Sequence, residues 1–185
     1  MSTQTQIQIT REQGEDVSWL FARHLVRTRF EDIPEADREA AKKNIIDTLA
    51  CTLTGYQDLT SRAVVEMMVE QGGREEATII GSHKKVPASS AAFANGTLAR
   101  AFDFDDCHEE SATHTSVSVV PPALAMAERL GGITGAELIT TVAVANDLIA
   151  RLSLAACCGA GPGDGLFAPS MLYGTFGAAA AAGRV

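Results

Sequence analysis

The sequence predicts an all-α fold, a mostly helical domain with at most one short strand. Apolar residues recur at helical spacing along most of the chain, which is the pattern of amphipathic helices that share a core. Aromatic residues make up only 5% of the 185 residues and alanine is abundant from position 88 onward, a composition that favours closely packed helices over a sheet. We expect a flexible tail over residues 1–13 and one helical domain over residues 14–185.

The sequence of the first half of the domain predicts three helices. The first begins near Val17 and ends near Phe30, and the second begins at Pro34, which suits the first turn of a helix. The third spans residues 61–71 and ends at the glycine pair that follows. The predicted buried face of the second helix consists of Ile45, Ile46, Leu49, Ala50 and Leu53.

One strand and a fourth helix are predicted in the middle of the chain. The β-branched run at residues 77–81 indicates the strand, and residues 82–86 are expected to turn away from it. Pro87 then starts the fourth helix. Its predicted buried face consists of Ala91, Phe93, Ala94, Leu98 and Phe102.

Three more helices are predicted toward the C-terminus. The fifth spans residues 119–130, with two prolines in its first turn. Thr134 followed by Glu137 resembles a capping box at the start of a sixth helix that ends near Leu154. A glycine-rich link over residues 159–165 leads to the last helix, from about Ser170. Because the chain stops inside this helix without a cap, we expect a domain truncated at its C-terminus.

Charge and composition argue against several classes of protein. A net charge of −8 provides no basic face for phosphates, so we expect no nucleic-acid partner. None of the four cysteines belongs to a Cys-x-x-Cys pair and the N-terminus carries no signal peptide, so we expect a cytoplasmic protein with reduced thiols. No apolar stretch approaches the ~20 residues that cross a bilayer, so we expect no membrane partner.

The chemistry is concentrated in residues 103–114, which hold five carboxylates and two of the four histidines. Two phenylalanines flank Asp103, which indicates partial burial of the carboxylates of this segment. Three interpretations stay open. The segment is a solvated acidic loop, or a divalent-metal site, or an acid/base centre acting on a carbon acid. The metal site would use Asp105, Asp106, His108 and His114, whereas the acid/base centre would use Asp103, His108 and His114 without a cofactor.

Several blocks of the sequence, in order, resemble the MmgE/PrpD family, which includes 2-methylcitrate dehydratase and cis-aconitate decarboxylase. The resemblance rests on residues 44–51, on residues 94–106 with His108 and His114, and on residues 174–182. It covers the chain from about residue 17 to residue 185. The resemblance implies the helical N-terminal part of a longer protein, usually a homodimer, in which an α/β domain follows.

The resemblance also implies an activity and a set of site residues. A complete protein of this kind is expected to be a lyase that removes a proton next to a carboxylate of a small di- or tricarboxylate and releases water or carbon dioxide, without a cofactor or metal. The cationic groups that hold the acid are expected from later sequence, so the chain alone is expected to be inactive. The implied catalytic residues are Asp103, His108 and His114, and the implied substrate-binding residues are Asp106, Cys107 and Thr113.

Two positions depart from the family pattern. Thr115 stands where proline often follows the histidine, and Ala168 stands where the family usually has a histidine in the pocket. A methyl group cannot transfer a proton. The alternative hypothesis is therefore a non-catalytic, diverged or truncated helical module that acts through dimer contacts, and a metal-dependent lyase is the third.

Overall fold

Helices dominate the computed structural model, which describes residues 16–157 and 169–185. Within these ranges the chain forms seven α-helices, a 3-10 turn at Phe30–Asp32 and one two-stranded sheet, which confirms the all-α fold class. The predicted tail over residues 1–13, the glycine-rich link and Ala168 lie outside the described residues.

The helices and strands have clear starts and stops. The helices are α1 (Val17–Arg27), α2 (Glu35–Gly55), α3 (Leu59–Gln71), α4 (Ala88–Arg100), α5 (Ser116–Arg129), α6 (Gly135–Cys157) and α7 (Pro169–Arg184), and the strands are β1 (Ala77–Ile79) and β2 (Lys84–Val86). Asp58 caps α3 by accepting a 2.7 Å hydrogen bond from the Ser61 amide. The predicted capping box of α6 is confirmed, since Thr134 and Glu137 exchange side-chain and backbone hydrogen bonds.

Two apolar clusters meet along α4 and α5. One joins α3, α4 and both strands through side chains such as Val65, Ile79 and Leu98. The other joins α2, α5, α6 and α7 and includes Val119 and Ile149. The loop between α4 and α5 therefore starts and ends on well-packed helices, which fixes the side chains that it carries.

The prediction of at most one strand is wrong, because residues Lys84–Val86 form a second strand. It pairs antiparallel with β1, with Ala77 opposite Val86 and Ile79 opposite Lys84. The chain reverses through Gly81 and His83, both of which have positive φ. Only Val86 of the second strand is buried, so its sequence carried no apolar alternation to reveal it.

The predicted buried face of α2 is wrong in part, although Ile45 does pack against the second apolar cluster. Ile46 and Leu53 are 67% and 56% exposed, respectively. The buried positions are instead mostly small or polar: Ala41, Thr48, Cys51, Thr52 and Gly55. Thr48 and Thr52 are tolerated there because each hydroxyl donates to the carbonyl four residues earlier, at 2.8 and 2.7 Å.

Three smaller expectations are corrected as well. Phe93 and Phe102 are exposed, so α4 packs through its alanines and Leu98. The first helix ends at Arg27 and not near Phe30. The fifth helix starts at Ser116, which places Pro121 and Pro122 inside it and not in its first turn. Sequence reasoning placed the start too late because the polar residues before Val119 look like loop.

Helix α6 is long and apolar enough to cross a bilayer, so the expectation that the chain has no such stretch is wrong. Its segment Gly135–Ala156 has the length and apolar composition of a membrane span, and half of it is buried inside the fold. It packs against α5 and α7 and contributes Val142 and Ile149 to the second apolar cluster. A core helix that is buried by such contacts needs apolar residues on several sides. It can therefore have the same composition as a membrane span.

Helices α2 and α4 are in close contact at Gly55, so we expect a single methyl group added there to destabilise the fold. A Cβ on Gly55 would lie 1.9 Å from the backbone carbonyl oxygen of Leu98, so α2 and α4 would have to move apart. Gly55→Ala is expected to lower the free energy of unfolding by about 1–3 kcal/mol, measured by urea unfolding followed by circular dichroism. Gly183→Ala is the matched control, because its Cβ meets nothing within 4 Å. Equal stability of the two variants would contradict this packing.

Candidate active site

The loop between α4 and α5 is folded back on itself by short-range hydrogen bonds. His108 and Thr113 form an isolated antiparallel bridge, with the His108 amide donating to the Thr113 carbonyl at 2.8 Å. The Ser111 and Thr113 hydroxyls share a 2.5 Å hydrogen bond in the interior. Asp103 has a φ of 59°, a left-handed conformation that aspartate adopts more readily than most residues. These features set the direction of the side chains on either side of the loop.

A buried carboxylate lies at the centre of the site. The Asp105 side chain is 0% exposed. Its Oδ1 accepts a 2.7 Å hydrogen bond from Arg100 Nη1, and its Oδ2 lies 3.2 Å from His114 Nδ1. Arg100 is the last residue of α4 and His114 lies two residues before α5, so Asp105 joins the ends of two helices.

Asp103 is placed differently from the sequence-based expectation. Its side chain is 73% exposed, and Phe102 and Phe104 stack on each other at 5.9 Å without burying it. Its carboxylate contacts Arg100 Nη1, and Oδ1 lies 3.9 Å from His114 Nε2. The expected burial of the carboxylates therefore does not hold for Asp103, but it holds for Asp105.

The surroundings of His114 favour one tautomer. Nδ1 lies 3.2 Å from Asp105 Oδ2 and 3.4 Å from Arg100 Nη1. Asp105 Oδ2 is buried and has no hydrogen-bond partner among the described residues, whereas the arginine already donates to Asp105 Oδ1. Only a proton on Nδ1 could be donated to this buried oxygen, so we propose the tautomer that carries it there. Nε2 then carries the lone pair.

Arg100 provides the positive charge of the cluster. Burial alone would lower the pKa of Arg100, but hydrogen bonds and charge from Asp105 and Asp103 outweigh it and raise that pKa above its ordinary value. The guanidinium therefore stays charged and compensates two carboxylates. Sequence reasoning missed both Arg100 and the role of Asp105. The signal was present, because Arg100 is the basic residue in the last turn of the helix that leads into the acidic segment.

A cleft of about 800 Å³ opens at this cluster between α3, α4, α5 and α7. Arg100 and His114 form its polar end, while Phe93 and Met171 are among its apolar walls. The Ser170 hydroxyl accepts a 2.8 Å hydrogen bond from the His114 amide, which attaches the start of α7 to the site. A cleft with an apolar wall and a few convergent polar groups suits a small organic acid.

Three predicted site residues line a second cavity instead. Asp106, Cys107 and His108 face about 580 Å³ bounded by α1, α2 and α6. Burial raises the pKa of Asp106, although the Ser116 hydroxyl donates to its Oδ2 at 2.7 Å. Thr113 is fully buried and lines neither cavity. The structure therefore brings Asp103 and His114 together and separates them from the other predicted residues.

The predicted set of four metal ligands is not brought together. Asp106 and His108 line the second cavity, and within the described ranges the group with metal-ligating atoms in reach of one another is Asp103, Asp105 and His114. Arg100 Nη1 already contacts both of these carboxylates. A divalent ion would have to displace this cation, so the donor set is poorly suited to a metal.

Comparisons with known proteins agree on one family. The model of the MmgE/PrpD N-terminal domain matches residues 20–185. Two curated relatives, the cis-aconitate decarboxylases of Aspergillus terreus and of its strain NIH 2624 / FGSC A1156, are each 29% identical over 118 residues. The aligned part covers 62% of this chain and 24% of each relative, so this chain spans about a quarter of the length of the relatives it matches.

Proposed function

From the premise that this chain belongs to the MmgE/PrpD family, as the match over residues 20–185 shows, we propose that it forms half of the active site of a lyase. The family goes with lyases of the dehydratase and decarboxylase type. The proposed substrate is a small di- or tricarboxylate, and the proposed reaction is acid/base chemistry without a cofactor. The observation that carries the proposal is His114 at the polar end of the cleft, with the buried Asp105 behind it.

The proposed base is His114 Nε2. In a dehydration its lone pair takes the proton from the carbon next to a carboxylate, and the C–H electrons form the new double bond. The C–O bond breaks, and the departing hydroxide takes the proton back from the imidazolium and leaves as water. In a decarboxylation Nε2 first takes a proton from solvent. The C–C bond then breaks to release carbon dioxide, its electrons stay on the remaining carbon, and the imidazolium gives that carbon its proton.

The carboxylates around His114 suit this cycle. We propose that Asp105, whose Oδ2 lies 3.2 Å from Nδ1, attracts Nδ1–H and so favours this tautomer. Asp103 Oδ1, 3.9 Å from Nε2, stabilises the imidazolium that forms between the two proton transfers. We place the reaction at this cleft. The roles proposed for Asp106, Cys107, His108 and Thr113 rest on the family resemblance alone.

The same proposal covers the setting of the protein. We propose a cytoplasmic homodimer without nucleic-acid or membrane partners, in keeping with a net charge of −8. Exposed apolar side chains on α2 and α7, such as Ile46, Leu53 and Met171, support a covering partner or domain. The second candidate is a non-catalytic dimerisation module. It is favoured by one observation, the alanine at position 168 in place of the family histidine.

A turnover assay separates these functions. We expect the complete protein that contains this chain to convert a citrate-, 2-methylcitrate- or cis-aconitate-like acid, with NMR detecting a new alkene proton or loss of a carboxyl carbon. Prior treatment with a chelator should leave the rate unchanged, and loss of activity would favour the metal-dependent lyase. A stable dimer that neither binds nor converts any of these acids would favour the non-catalytic module.

A further inference from the structure

We propose that Arg100 binds one carboxylate of the substrate through the free edge of its guanidinium, and that it makes the site selective for acids over their amides. The inference rests on the proposed function and deepens it. It also changes the sequence-based expectation that every cationic group comes from later sequence. In this chain the acidic loop carries its own cation, supplied by the end of α4.

The first step is the place of Arg100 in the cleft. Among the described residues that line the cleft, Arg100 is the only lysine or arginine, and His114 lies beside it. The Arg100 side chain is 40% exposed, so part of the guanidinium is open to a ligand while the rest is held by the protein. A small anion that enters this cleft therefore meets Arg100 as the fixed positive charge within the part of the chain that the structure describes.

The second step is the use of the guanidinium nitrogens. Every hydrogen bond and ion pair between Arg100 and another described residue uses Nη1, which contacts Asp103, Asp105 and His114 Nδ1. The opposite edge, formed by Nε–H and Nη2–H, has no partner among these residues. That edge presents two parallel N–H groups at the spacing of the two oxygens of a carboxylate. A lysine in the same place offers a point charge without this edge.

The third step is the difference between the two aspartates that hold Arg100. Asp105 is fully buried and fixes the guanidinium from inside the fold. Asp103 is mostly exposed, and an exposed ion pair of this kind contributes little to stability. Asp103 can therefore move away from a carboxylate that binds at the free edge, at little cost. Asp105 keeps the guanidinium in place when this happens.

Calorimetry on the complete protein with an unreactive probe tests the inference. The probes are propane-1,2,3-tricarboxylate and its two mono-amides, and the variant is Arg100→Lys, with the exposed Arg62→Lys on α3 as the matched control. We expect wild type and Arg62→Lys to bind the tricarboxylate about 10- to 100-fold more tightly than at least one mono-amide. In Arg100→Lys the ratio between acid and amide should fall, because the ammonium keeps its charge but loses the two parallel N–H groups. A merely structural role would weaken all three probes equally.

A second measurement uses the wild-type protein in case the variant does not fold. Phenylglyoxal modifies accessible arginines, and peptide mass spectrometry reports the extent at each site. At a saturating concentration, propane-1,2,3-tricarboxylate should slow the modification of Arg100 at least as much as the occupied fraction of the site predicts. The rate of modification of Arg62 should not change. The inference would be overturned if the tricarboxylate did not protect Arg100, or if Arg100→Lys kept the acid-to-amide ratio of wild type. Turnover of the acids would in that case still uphold the proposed function. If the wild-type protein neither binds nor converts any acid, both fail.

Discussion

Replacing His114 with alanine in the complete protein is expected to lower turnover by ~10²–10⁴-fold, because the substitution removes the group that moves the proton. The link to Ser170 uses the His114 backbone amide and survives the change, so the start of α7 stays attached to the site. The measurement is the steady-state rate with the best acid substrate, at several values of pH. Thermal unfolding should confirm that the variant remains folded.

Two further histidine variants give the result its meaning. His83→Asn replaces an exposed turn histidine with a residue that tolerates its positive φ, and it should turn over substrate at the wild-type rate. His108→Ala tests the second cavity, where the family resemblance alone assigns a catalytic role. Wild-type turnover in a folded His114→Ala variant, combined with a large loss in His108→Ala, would move the chemistry to the second cavity.

The sequence predicted the helices well because each has a local signal. The Thr134–Glu137 capping box and the glycines that end α3 involve only residues close together in the chain. Residue type alone therefore reveals them. The buried face of α2 could not be predicted in this way. Its apolar residues Ile46 and Leu53 point outward because the close approach of Gly55 to α4 selects the side of the helix with small side chains. Only the partner helix decides which side is buried.

The candidate site, like the fold, could be predicted from the sequence only in part. The acidic segment, Asp103 and His114 could be recognised from sequence, because carboxylates and histidines were concentrated between two apolar helices. Which carboxylate is buried could not be recognised, since neighbouring aspartates at 103, 105 and 106 look alike in sequence. The positive φ of Asp103 turns its side chain outward and leaves Asp105 inside against Arg100. A backbone angle, and not a residue type, determines that assignment.

The position of Arg100 also resolves a conflict of charges. A chain with a net charge of −8 is a poor partner for an anionic substrate, and the loop itself adds five carboxylates. In the structure Asp105 is neutralised by Arg100 inside the fold, while Asp106 lines the other cavity. The cleft at His114 therefore carries less negative charge than the sequence of the loop suggests.

Asp105→Asn is expected to lower turnover by ~10²–10⁴-fold although the side chain keeps its shape, because the amide no longer fixes Nδ1–H of His114. An amide nitrogen facing Nδ1 would favour the other tautomer and place the proton on Nε2, where the base is needed. An amide oxygen facing Nδ1 would instead turn the amide nitrogen toward Arg100 Nη1, leaving that cation without its 2.7 Å acceptor. Either orientation also costs stability, by about 1–3 kcal/mol for an unpaired buried group.

The tautomer of His114 provides a readout that a loss of stability does not change. Two-dimensional NMR of ¹⁵N-labelled histidine distinguishes the protonated from the unprotonated ring nitrogen. We expect Nδ1–H in the wild-type protein and a mixed or Nε2–H population in Asp105→Asn. Glu39→Gln removes an exposed carboxylate that pairs with Lys42 on the surface, and it should change neither the tautomer nor turnover. Full activity of Asp105→Asn would show that His114 needs no orienting carboxylate, and the argument that places the base at Nε2 would fail with it.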